Sequence, residues 1–147
     1  EVARLLLEAG AATDQADSEG RTPLYVASLQ GHDQCVRLLL EASAAVNQAK
    51  DGGATPLFIA CQQGQIECVR LLLEASAAVN QACNNGATPL LVACQNGHLE
   101  CAQLLRDAGA GINQAMNDGT TSLFIASQEG HVEIFQLLLE ASAAVNQ

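Results

Sequence analysis

The fifteen residues CVRLLLEASAAVNQA stand at Cys35–Ala49 and recur, letter for letter, at Cys68–Ala82. A shared catalytic motif would keep its reactive letters and let the apolar ones drift. Here both kinds are copied, as in a duplicated structural unit. Working outward from the pair gives the period. The strings RTPLYVA, ATPLFIA, ATPLLVA and TTSLFIA begin at Arg21, Ala54, Ala87 and Thr120, each step being 33 residues. Gly31, Gly64, Gly97 and Gly130 keep that step, as do Asn47, Asn80, Asn113 and Asn146. The chain is an array.

One unit can be read physically. Thr22 is a helix N-cap and Pro23 suits a first helical turn, where a missing N–H leaves no bond unmade. Leu24, Val26 and Ala27 make a short apolar run, broken by Gly31 and His32. A second helix is predicted from about Asp33 to Ala42, with Val36, Leu39 and Leu40 on one stripe and Arg37 and Glu41 off it. The following NQAKDGGAT is turn chemistry. Isolated helices below ~12–15 residues are marginal in water. Neighbouring units must therefore cover one another, and the result is a solenoid.

The 147 residues carry 16 acidic and 6 basic side chains, a net charge of −10. Nucleic-acid affinity comes largely from Lys and Arg neutralising phosphates, so this composition argues against nucleic acid. It argues equally against anionic membrane surfaces. No stretch reaches the roughly 18 apolar residues of a membrane helix, and EVARLLLEAG has neither a basic leader nor a cleavage signal.

A unit of this length carrying G-x-T-P-L and A, then G-H, then V-x-L-L-L and A-x-V-N, resembles the ankyrin repeat. The resemblance spans the chain: residues 1–16 as the second half of a unit, then 17–49, 50–82, 83–115 and 116–147. It implies one all-α domain, an ankyrin-repeat solenoid of antiparallel helix pairs joined by hairpin-like loops. It also implies binding of a protein or extended peptide through the loop tips and the concave inner-helix face, with no catalysis. The alternative is a passive spacer with no groove partner.

Several departures from the family pattern matter. The His that usually follows T-P-L is Tyr25, Phe58, Leu91 and Phe124, replacing a polar link by apolar packing. The Gly that usually closes the second helix remains as Gly10 and Gly109 but becomes Ser43, Ser76 and Ser142. Serines holding a left-handed backbone there would each cost about 1 kcal/mol relative to Gly. In the fourth unit Ser122 replaces the Pro, and Thr121 can still cap. Val2, Leu5 and Leu6 begin mid-unit and Val132, Phe135 and Leu139 lie in the last one, so the chain reads as a segment of a longer array. Such ends would allow end-to-end self-association.

Six cysteines invite a metal or redox reading until they are put in phase. Cys35, Cys68 and Cys101 share one site in successive units, and Cys61 and Cys94 share another. Stacked helices lie about 8–10 Å apart, beyond the ~7 Å limit on Cα separation for a disulfide, and no C-x₂-C pair suggests zinc. They read as buried small hydrophobes in a reducing, intracellular compartment, the cytoplasm, with the nucleus as the alternative. Cys83, alone in a loop, is the expected reactive thiol.

His32, His98 and His131, with Gln65 as the fourth, read as turn-forming hydrogen bonds between helices, since no nucleophile or carboxylate accompanies them at fixed spacing. Arg4, Arg37 and Arg70 precede Glu8, Glu41 and Glu74 by four residues, giving surface pairs worth ~0.2–0.5 kcal/mol each. No catalytic, cofactor or metal constellation is found.

Specificity would lie where the units differ. On the loop tips these positions are Ser18, Glu19 and Arg21, then Asp51, then Asn84 and Asn85, then Asn117 and Asp118. At the ends of the first helices they are Leu29 and Gln30, Gln62 and Gln63, Gln95 and Asn96, and Gln128 and Glu129. By the resemblance both sets line the groove, whose amides both donate and accept. The resemblance also makes Asn47, Asn80 and Asn113 similar to substrates of an asparaginyl hydroxylase.

Overall fold

The computed structural model describes residues 2–8 and 12–145. Gly10, Asn146 and the side chain of Leu6 lie outside the described residues. The helices are α1 (Val2–Glu8), α2 (Pro23–Gln30), α3 (Asp33–Glu41), α4 (Pro56–Gln63), α5 (Ile66–Glu74), α6 (Pro89–Gln95), α7 (Leu99–Asp107), α8 (Ser122–Glu129) and α9 (Val132–Val145). Among the described residues there is no strand.

Each inner helix starts by the same chemistry. Thr22, Thr55, Thr88 and Thr121 sit at N-caps with extended backbone, and their hydroxyls accept from the N–H of Tyr25, Phe58, Leu91 and Phe124 at 3.1–3.2 Å. Ser122 in place of Pro leaves the fourth cap intact. Gly31, Gly64 and Gly130 end α2, α4 and α8 in the left-handed region, where a side chain would be strained. The chain then reverses into the outer helix.

Helices α2, α4, α6 and α8 pack in succession as an inner row, and α1, α3, α5, α7 and α9 form the outer row behind it. The core runs unbroken between the rows. Leu24, Leu57 and Leu90 are buried in the inner row, and Leu72, Leu105 and Leu138 in the outer. Side chains of this size contribute about 1.5–3 kcal/mol each on burial, so stability accrues along the stack.

One buried group is mismatched. The Ser28 hydroxyl is fully buried without a hydrogen-bond partner, at the position that holds Cys61 and Cys94 in the next two units. An orphaned hydroxyl costs roughly 1–3 kcal/mol, while a thiol behaves there as a small hydrophobe. Ser28→Cys is expected to raise unfolding stability by about 1 kcal/mol in urea titration.

The serines divide. Ser43 and Ser76 have φ of 63° and 64°, the left-handed backbone anticipated for them. Ser142 does not: α9 runs on through it to Val145. The stretch LLLEASAAV is identical at 38–46, 71–79 and 137–145. In the first two copies Ala44 and Ala77 are buried after the turn and Val46 and Val79 pack on the core, whereas Ala143 is exposed. Without that burial nothing offsets the left-handed serine, and an Ala-rich segment stays helical.

Two further expectations are corrected. Phe124 is 60% exposed rather than packed, unlike Tyr25, Phe58 and Leu91, because no following unit covers it among the described residues. Arg70 pairs with Glu67 at 3.5 Å instead of Glu74, while Arg4 does reach Glu8 at 3.8 Å. All these ion pairs are solvent-exposed and contribute little.

Candidate partner-binding surface

The loop tips are built from backbone first. In each loop the chain closes a tight turn: the N–H groups of Asp17, Lys50, Cys83 and Met116 donate to the carbonyls of Arg21, Ala54, Ala87 and Thr120 at 2.8–3.0 Å. Successive tips are then tied together. Asp51 N donates to Glu19 O, Asn84 N to Gly52 O and Asn117 N to Asn85 O, each at 3.0 Å. Four turns thus form a ladder beside the inner helices, and the unit-to-unit register sets where every tip side chain stands.

Several tip side chains serve the turns themselves. Asp17 accepts from the backbone N–H of Arg21 and Glu19 and pairs with the Arg21 guanidinium at 2.8 Å. Chiefly the Arg21 N–H holds its carboxyl below the ordinary 3.8. Asp118 is lowered likewise, by the Thr120 N–H. A depressed carboxylate favours the folded turn above its unfolded pKa, and that contribution is lost as pH falls through the folded value. Asn85 Oδ1 accepts from Ala87 N at 3.0 Å, and Asn117 Nδ2 donates to Asn84 O at 2.9 Å.

The structure places the sequence-derived positions as follows. Ser18, Glu19, Asp51, Asn84, Asn85, Asn117 and Asp118 are exposed on the ladder, with Arg21 half-buried between Asp17 and Glu19. Gln30, Gln63, Gln95, Asn96, Gln128 and Glu129 are exposed at the inner-helix ends, and Leu29 and Gln62 are half-buried there. Asn96 is committed to its own helix, its Nδ2 donating to Val92 O at 2.9 Å.

The histidines join units rather than the two helices of one unit. His98 Nε2 donates to Gln62 O and His131 Nε2 to Gln95 O, both at 3.1 Å, and Gln65 Nε2 donates to Leu29 O at 3.1 Å. Each ring or amide lies on the glycine of the preceding unit: a Cβ on Gly31, Gly64 or Gly97 would stand 2.5–2.8 Å from Gln65, His98 or His131. The asparagines act in the same direction. Asn47 Oδ1 accepts from Ala78 N and Asn80 Oδ1 from Gly111 N at 2.8 Å, as Asp14 Oδ1 does from Ala45 N at 2.9 Å. These joints were missed as such, although the shared 33-residue step of Gly, His and Asn was their signal.

Burial raises the cysteine thiols: Cys68 and Cys101 to about 11, Cys94 to about 12, and Cys61 well above its ordinary value. Cys35 and Cys83 are half-buried. At Cys83 burial again raises the pKa, with Lys50 acting against it, so the loop position does not make an activated thiolate. Among the described residues no group of three or more His, Cys, Asp and Glu could hold a metal ion. Nor is any described helix long and apolar enough to cross a membrane.

A family model described as ankyrin repeats (3 copies) matches residues 1–83 and again residues 75–147. No curated protein matches the chain. Ankyrin repeats generally serve as protein–protein interaction modules and their fold is non-catalytic. The match runs across the capped helix pairs and their turns from end to end of the chain, and the chain belongs to the ankyrin repeat family.

Proposed function

We propose that this chain binds another protein, or an extended peptide within one, through the face made by the turn ladder and the ends of the inner helices. The observation that carries this reading is the contrast on that face between fixed backbone and varied side chains. The turns are tied one to the next by backbone hydrogen bonds at 3.0 Å. The exposed residues they present differ from unit to unit. A surface held rigid before binding loses little conformational entropy on docking.

Charge supports a protein partner over nucleic acid. Glu19, Asp51, Asp118 and Glu129 are exposed along this face, and Arg21 is engaged by Asp17 and Glu19 at 2.8 and 2.9 Å. Phosphates would meet net repulsion there. Exposed amides at Gln30, Gln63 and Gln95 can donate and accept, which suits the backbone of an extended segment.

The test uses the triple variant Gln30→Ala, Gln63→Ala and Gln95→Ala, which leaves the capping Asn96 in place. A protein captured by the parent chain would be purified and titrated against both forms by calorimetry. At least a tenfold weaker Kd, about 1.4 kcal/mol, is expected for the variant with unchanged circular dichroism. Equal affinity of the two forms would remove the inner-helix ends from the binding surface.

A further inference from the structure

One rung of the turn ladder is notched, in the middle of the stack. The third residue of a turn is Glu19, Asn85 or Asp118, but in the second turn it is Gly52. Gly52 has a φ of 94°, and a Cβ built on it would meet nothing within 4 Å. Beside it, between the second and third tips, lies a cleft of about 360 Å³. Ala54 and Phe58, both buried, line its apolar side, and Lys50 and Asn85 its polar one. Cys83 lines it as well.

The polar side offers donors. Lys50 is the only lysine of the chain, and the other turns begin with Asp17, Cys83 and Met116 at its position. It is half-buried, and among the described residues its ammonium has neither a carboxylate nor a hydrogen-bond partner. Arg21 on the first tip is by contrast held by Asp17 and Glu19. Burial raises the Cys83 thiol and the Lys50 charge opposes it, so that charge stands near the cleft. Asn85 Oδ1 is occupied by Ala87 N, which leaves its Nδ2 to donate. The Asp51 carboxylate leans on the first tip instead, its Oδ1 standing 2.9 Å from where a Cβ on Gly20 would be. A half-buried cation without a counter-charge attracts an anion with less screening than one at an open surface.

We propose that this cleft seats an acidic side chain, a glutamate, carried by an extended protein segment lying along the turn ladder. Lys50 Nζ and Asn85 Nδ2 donate to its carboxylate oxygens, and its methylenes lie over Phe58. This seat rests on the reading of the ladder as a protein-binding face. The neighbouring tips restrict what fits. Glu19 and Asp118 are exposed on either side, so a segment rich in acids is repelled, while one glutamate among neutral or basic residues is accepted. Charges placed in this way set specificity and register more than raw affinity.

Short random peptides displayed on phage, selected on the whole chain and on its Lys50→Gln variant, test this. Lys50 serves its turn through backbone groups alone, so the substitution leaves the turn intact. Peptides held by the parent are expected to share one acidic position, and those held by the variant to lack it. For one such peptide, replacing its glutamate by glutamine is expected to weaken binding to the parent about tenfold and to leave binding to the variant nearly unchanged. The bound peptide is also expected to slow alkylation of Cys83 and not of Cys35, the half-buried thiol outside the cleft. Selected peptides without an acidic position, or Cys83 alkylated equally fast with peptide bound, overturn the glutamate seat and leave the binding face standing. A parent chain that retains no peptide overturns the seat and the extended-segment reading together.

Discussion

Replacing Gly64 by alanine is expected to lower unfolding stability by about 3 kcal/mol, roughly twice the loss for Gly130→Ala. Both glycines end an inner helix with nearly equal backbone, φ of 73° and 74°, so an alanine Cβ brings the same left-handed strain of about 1–2 kcal/mol to each. Their surroundings differ. A Cβ on Gly64 would stand 2.7 Å from the His98 ring, while one on Gly130 would meet nothing within 4 Å. The His98 ring must withdraw, and its 3.1 Å bond to Gln62 O goes with it, a further loss of about 1 kcal/mol. Urea titration of the two variants reads the difference directly. Equal losses would mean that the ring shifts freely and that His98 does not hold the second and third units together.

The second large effect has opposite signs in identical sequence. Ser43→Gly combined with Ser76→Gly is expected to raise stability by about 2 kcal/mol, because both serines are held at positive φ where glycine is unstrained. For a chain of this size that is a melting temperature higher by about 5 °C. Ser142→Gly is expected to lower stability by about 0.5 kcal/mol, since Ser142 lies inside α9 and glycine is the poorer helix former. Calorimetry on the double and single variants checks both. A stabilising Ser142→Gly would place a left-handed turn in the last unit as well.

Both effects depend on neighbouring units, whereas the unit itself is written in the chain's own letters. The 33-residue step, the Thr caps and the Gly stops are local and repeated, so the helix pairs could be read from them. Cap chemistry involves atoms three residues apart, as in Thr55 Oγ1 to Phe58 N. The positions of the proposed partner-binding face could be picked out for a related reason: they are the letters that change while their surroundings repeat. Their availability was not. Asn96, read as a groove residue, turned out to be bonded to Val92 O of its own helix, and Arg21 is held by two carboxylates. An amide or guanidinium looks the same in sequence whether it faces a partner or its own backbone.

Alone, the sequence determined the unit, its two helices, the turn between them and the stacking of units into a solenoid. The tertiary structure decided how those units are joined and how each outer helix ends. His98 and His131 look alike as letters after a glycine, yet their role depends on a carbonyl 36 residues earlier. LLLEASAAV ends in a left-handed turn at Ser43 and Ser76, where the alanine and valine beyond are packed, and stays helical across Ser142, where Ala143 is exposed. The reason is energetic: the two backbone states of that stretch differ by only about 1–2 kcal/mol, less than burying one side chain of ordinary size contributes. A preference that small yields to whatever unit is packed against it.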